Sequence, residues 1–168
     1  MADETFVGEG IERVWVSGSG ENQDIYLTNG VDIIAGLVVT EFGETAATRD
    51  VDLASLTEEP LGIVLKAVRN AKLGVVRSLD TALDDNEQVW VQKKGGLQNI
   101  VYGVYQANGA TIKRGTSLIV GSEAGKLAPW VYSEAGAASV ATGVYIVGEA
   151  AEDVTQAASD DQIIKVRI

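Results

Sequence analysis

Between Ile112 and Ile168 four apolar or alternating runs follow one another, and each is bounded by Gly, Ser or Asp. They read I-K-R-G-T-S-L-I-V-G, K-L-A-P-W-V, G-V-Y-I-V-G-E-A and Q-I-I-K-V-R-I. Runs of this length and spacing are the sequence form of short antiparallel strands joined by tight turns. Ile112, Arg114, Thr116, Leu118 and Val120 alternate around Gly115. In the last run Ile164, Val166 and Ile168 share one face and Lys165 and Arg167 the other, because strand side chains alternate.

The chain before this stretch carries the same grammar. Alternation over Ile11–Val16 predicts a short strand between Gly8-Glu9-Gly10 and Ser17-Gly18-Ser19-Gly20. Asn29-Gly30 and Asn108-Gly109 are turn signals, since both residues tolerate positive φ. The β-branched run from Val31 to Val39 reads as strand broken at Gly36, and Leu61–Leu65 as a buried strand. Residues Thr40–Thr57 read as a polar loop with one helical turn over Leu53–Thr57. Leu73–Val76 is a further apolar segment. Gln88–Gln92 and Ile100–Tyr105 are strands, and Lys93-Lys94 between them reads as charge guarding a sheet edge. Ser133–Thr142 is a small-residue loop, and Asp160-Asp161 a turn. Ala35-Gly36 and Pro60-Leu61-Gly62 are echoed by Arg114-Gly115 and Thr142-Gly143, with the paired glycines 26 and 28 residues apart. That echo is read as one barrel reusing its hairpins at both ends. The resulting expectation is an all-β fold, a small antiparallel barrel or sandwich-like domain over residues 25–168 with an extended N-terminal arm over 1–24.

Composition narrows the function. With 168 residues and 46% hydrophobic content, the chain is long enough for one domain with a real core. Its net charge of −11 disfavours phosphate gripping and anionic membrane surfaces, so neither nucleic acid nor membrane is expected as a partner. No apolar run is long enough to span a bilayer, and the acidic N-terminus lacks the order of a secretory signal. There is no Cys and no His, which removes disulfides, His- or Cys-ligated metals, Ser-His-Asp and Cys-His nucleophiles and a His base. The two Gly-x-Gly pairs near the N-terminus do not continue to a dinucleotide fingerprint. The acidic run Asp80–Glu87 lacks EF-hand spacing. Asp84-Asp85 and Asp160-Asp161 are adjacent pairs, which in a strand would face opposite ways and make no dyad. No catalytic residue, cofactor or metal is therefore expected. The functional side chains are expected to be apolar anchors: Phe6, Val7, Ile11, Val14 and Trp15 in the arm, and Trp130 beside the small-residue loop. Trp90, mid-strand, reads as core.

The order of parts, A-G-x-V-V and P-L-G-I-V-L followed by I-x-x-G-x-x-L-x-V-G-x-x-G-K-L and V-G-E-A … D-D-Q-I-I-K-V-R-I, resembles the capsid decoration, or cement, proteins of tailed phages and related archaeal viruses. The resemblance covers roughly Val31 to Ile168. It implies a β-barrel-like domain that forms a homotrimer on the outer surface of the virion head and braces major capsid proteins. It also implies an arm that shares in those contacts, and synthesis in the host cytoplasm before assembly. Two other readings stay open beside it. One is a different virion part, such as a tail or fibre domain. The other is a carbohydrate- or ligand-binding β-module.

Overall fold

The computed structural model describes residues 15–18, 22–29, 33–42, 49–67, 87–95, 99–106, 111–130, 145–155 and 160–168. Residues 1–14, Gly30 to Asp32, Leu73–Val76, the acidic run up to Asn86, Asn108-Gly109 and the loop 133–142 lie outside them, with whatever the sequence predicts there. Among the described residues eleven strands are formed: β1 Trp15–Ser17, β2 Gln23–Thr28, β3 Val38–Phe42, β4 Asp50–Leu53, β5 Gly62–Ala67, β6 Gln88–Lys93, β7 Ile100–Tyr105, β8 Ser117–Val120, β9 Leu127–Pro129, β10 Ile146–Ala150 and β11 Gln162–Arg167. The protein is all-β, with no helix among the described residues.

Strands β2-β4-β3-β5-β6 close into a barrel, and a second sheet runs β1-β7-β11-β10-β8-β9. This second sheet curls until β9 meets β7 again through one parallel rung, Tyr105 with Leu127. The two units repeat one plan. In the barrel β2 is parallel to β4, while β4–β3, β3–β5, β5–β6 and β6–β2 are antiparallel. In the second sheet β7 is parallel to β9, while β9–β8, β8–β10, β10–β11 and β11–β7 are antiparallel.

The repeat extends to single hydrogen bonds. The Gly36 amide donates to the Val64 carbonyl, and the Gly115 amide to that of Ala150, both at 2.8 Å. Lys93 N donates to Asn22 O at 2.8 Å, and Ile168 N to Asn99 O at 2.9 Å. Asn29 N donates to Val51 O at 2.8 Å, and Gln106 N to Leu127 O at 2.9 Å. The echo in the glycines is therefore part of a structural repeat of a whole five-stranded unit, not the two ends of one barrel. It also pairs differently from the sequence reading. Val39 faces Gly62 and Leu118 faces Gly148, so Gly148 is the counterpart of Gly62; Gly143 lies outside the described residues. The physical reason is shared: a Cβ at Gly62 would collide with the Gln92 carbonyl, and one at Gly148 with that of Arg167.

Local departures from the sequence reading have equally local causes. Strand β3 starts only at Val38 because Gly36, at φ +92°, turns the chain; Gly115 does the same before β8 at φ +87°. The polar stretch after Thr40 is not loop throughout, since β3 runs to Phe42 and β4 follows as D-V-D-L. Val51 points inward there while its Asp neighbours stay partly exposed, which gives the strand its polar look. The expected helical turn is a capped turn instead: Glu58 N donates to Ser55 O, and the Glu58 carboxylate accepts from Ser55 N. Lys93 is not on an edge. It sits in β6 between β5 and β2, while Lys94 donates to Leu61 O and pairs with Glu59 at 2.9 Å.

Two cores result. Tyr26, Ile33, Val39, Val51, Val64, Val89 and Val91 fill the barrel. The larger core belongs to the second sheet, yet Val38, Ala54, Ile63 and Leu65 enter it from the outer side of the barrel. They wedge where β7 and β9 share a single rung. Val104 N donates to Gly36 O at 3.0 Å, Val38 N to Gly125 O at 2.8 Å and Gly125 N to Ala54 O at 2.8 Å. Gly103 has no side chain, so the Leu127 methyl of β9 can close on β7, with the Ile63 methyl in ordinary contact beside it. The barrel therefore closes the seam of the second sheet. Trp90, expected in the core, is half-buried against its margin.

Candidate interaction surface

Along β8 the burial alternates, so Leu118 and Val120 point inward while Ser117 and Ile119 point out. Ile119 stands opposite Ala128 on β9 and Ile146 on β10. The irregularity between Ile146 and Gly148 lets Val147 stay buried while Ile146 turns out, 42% exposed. One step along, Glu149 faces Ser117, and Trp130 N extends the β8–β9 ladder by donating to Ser117 O at 2.8 Å. Trp130 is 36% exposed. The outer face of β9-β8-β10 thus carries Trp130, Ile119 and Ile146, with Ser117 and Glu149 as its polar margin.

Charged ties hold the ends of this face. The Asp153 carboxylate accepts from the Arg114 amide at 2.9 Å and the Lys113 ammonium at 3.1 Å. These bonds hold its carboxyl below the ordinary range, the backbone bond from Arg114 contributing most. At the β8–β9 turn Lys126 bridges Asp161, at 2.7 Å, and Glu123. Hydrogen bonding to Asp161 first and Glu123 second pushes the Lys126 ammonium up. Tyr145, just before β10, is reached by the Lys94 ammonium of the barrel, 5.4 Å from the ring centre.

Described residues also line two clefts elsewhere. One of about 340 Å³ is lined by Glu41, Glu59, Lys93 and Lys94 around Pro60 and Leu61. The other, about 500 Å³, lies over Tyr102, Ile163 and Lys165 beside Glu152 and Asp153. Among the described residues no three Asp or Glu side chains gather in a way that could hold a metal ion.

Of the side chains expected to make contacts, Trp130 lies on the exposed face just described. Phe6, Val7, Ile11 and Val14 lie outside the described residues. Trp15 is described through its backbone alone, which pairs with Val101 in β1–β7. Ile119, Ile146 and Tyr145 were not singled out from sequence. The signal for Ile119 was its alternation with Leu118 and Val120, while the irregularity at Ile146 has no mark in the sequence. No protein-family model matches this chain, and no curated protein matches it.

Proposed function

We propose that this chain is a capsid decoration protein, which binds the outer surface of a viral head and stabilises contacts between major capsid proteins. The observation that carries the reading is the exposed Trp130–Ile119–Ile146 face, presented on a sheet whose core is completed by the barrel. Such a face is rigid and apolar, and suits docking on a repeated protein lattice. The residues on which the family resemblance rests also have structural work to do. Gly36 and Gly115 turn the chain, Gly125 turns at φ +74°, and Gly62 and Gly148 admit a neighbouring backbone. A charge of −11 keeps the free chain soluble before it docks. The partners in this reading are the major capsid protein and other copies of the chain, at the outer surface of the virion.

The test is co-sedimentation of the purified chain with heads that lack it. Saturable binding, at a fixed ratio to the major capsid protein and reduced in Trp130→Ala, is expected. Absence of binding to heads, or binding confined to tails, overturns the proposal.

A further inference from the structure

The cleft over β7 and β11 takes its floor from the pairing of those strands. Tyr102 stands opposite Lys165, and Val101, Ile164 and Val166 point into the core beside them. Strand alternation therefore turns Tyr102, Ile163 and Lys165 outward. Tyr102 is held by packing against the core, and Ile163 is 36% exposed. The walls are ionic. One Glu152 carboxylate oxygen accepts from Lys165 N at 2.8 Å, and the other lies 3.8 Å from Lys165 Nζ. Asp153 pairs with Lys113, and Asp161 with Lys126. Three carboxylates thus meet three ammonium groups, Lys126 being shared with Glu123, on a chain whose net charge is −11.

The structural repeat shows that the fold does not require this arrangement. The bonds Lys93 N to Asn22 O and Ile168 N to Asn99 O are equivalent in the two units. Three residues along each strand, Ile25 opposite Trp90 in the barrel answers to Tyr102 opposite Lys165 in the second sheet. The barrel fills that row with two apolar side chains, where the second sheet sets a phenol ring beside a charge.

We propose that this cleft binds a neutral saccharide, with Tyr102 and Ile163 against the apolar face of a sugar ring and Glu152, Asp153 and Lys165 at its hydroxyls. Three properties select that class. Charges compensated within the chain leave little net field to draw in a free ion. Carboxylates only accept hydrogen bonds and ammonium groups only donate, while a sugar hydroxyl does both. The polar groups are also fixed by bonds within the chain before a ligand arrives, so little ordering is lost on binding. A ring and a branched side chain supply the apolar contact that the C–H face of a pyranose needs. A cleft of about 500 Å³ suits roughly one or two sugar units. The site shares no residue with the Trp130–Ile119–Ile146 face, so it adds to the decoration reading without resting on it.

NMR titration of the isotope-labelled full chain with glucose, galactose, mannose, N-acetylglucosamine and their β-linked disaccharides tests this. Sialic acid and spermidine serve as anionic and cationic comparators. Saturable shifts at the Tyr102, Ile163 and Lys165 amides are expected with at least one neutral sugar. Its affinity should be nearly indifferent to added salt, because no net charge is bound. Glu152→Gln keeps an acceptor for Lys165 N and should weaken binding roughly 5-fold or more. Tyr102→Ala should weaken it roughly 10-fold or more, and Tyr102→Phe, which keeps the ring, should restore it. Phe42→Ser, at an exposed apolar side chain of the barrel, should leave it unchanged. Circular dichroism confirms that each variant is folded, and Ile163→Ser reads the apolar floor if Tyr102→Ala is not. No shift with any neutral sugar, or a response to the charged comparators alone, overturns the proposal. So does binding that is indifferent both to Glu152→Gln and to the change in the floor.

Discussion

At Gly62 and Gly148 the neighbouring strand runs so close that a methyl group would meet a backbone carbonyl, which cannot swing aside as a side chain can. Gly62→Ala and Gly148→Ala should therefore each cost about 3 kcal/mol or more, the upper end of overpacking. At Gly115 nothing lies within 4 Å, so Gly115→Ala meets only the strain of φ +87° and should cost about 1–2 kcal/mol. Denaturant midpoints of the three variants check that order. Asp153 gives a pH signature. Its carboxyl is held low in the folded state, so its contribution is present above the unfolded carboxyl value, near ~4, and is lost as pH falls through the folded one. The melting-temperature gap between the parent and Asp153→Ala should be open at neutral pH and close in acid. Turn glycines were legible in the sequence because positive φ leaves few other choices. The glycines of close approach were not, because the reason for them sits on a strand 19 to 30 residues away (Gly148 to Arg167, Gly62 to Gln92).

At the scale of elements, most strands could be read from alternation, and β4 could not. Asp50-Val51-Asp52-Leu53 buries Val51 fully and Leu53 in part and leaves the carboxylates part-exposed, so its polarity masks a barrel strand. The edges are handled differently in the two units. On β7, β1 covers Ile100 and Val101. On β2, the counterpart strand, the Asp24 carboxylate accepts from its neighbour's amide, Ile25 N, and pairs with Arg49 at 2.7 Å. Charge of this kind blunts an edge against further pairing. Removing residues 1–17 takes β1 away and bares an edge that has no such guard, while removing 1–14 keeps it. The longer truncation should show faster amide exchange along β7 and a stronger tendency to aggregate; equal behaviour of the two would remove β1 from that role.

At the scale of the whole molecule, the all-β class was readable and the architecture was half readable. Gly36 and Gly115 gave the repeat away. Insertions and deletions between strands hid its extent, because the counterpart spacing changes from 26 residues (36 to 62) to 33 (115 to 148). The candidate surface was readable only at Trp130, since the exposure of Ile119 and Ile146 depends on which face the sheet buries. The two units are also unequal partners. The barrel has its own closed core, while the second sheet borrows Val38, Ala54, Ile63 and Leu65. Those four side chains are each worth about 1.5–3 kcal/mol when large and fully buried, less for Ala54. A fragment of residues 99–168 should therefore fail to fold alone, whereas 22–95 should give a folded, self-associating barrel; circular dichroism of the two fragments checks this.

The reading as a decoration protein is tested most directly by electron cryomicroscopy of heads assembled with and without the chain. The expected difference map shows added density on the outer head surface, seated between major capsid subunits, into which the barrel and second sheet fit as one body. Added density confined to the tail or its fibres, or no difference at all, would contradict the account.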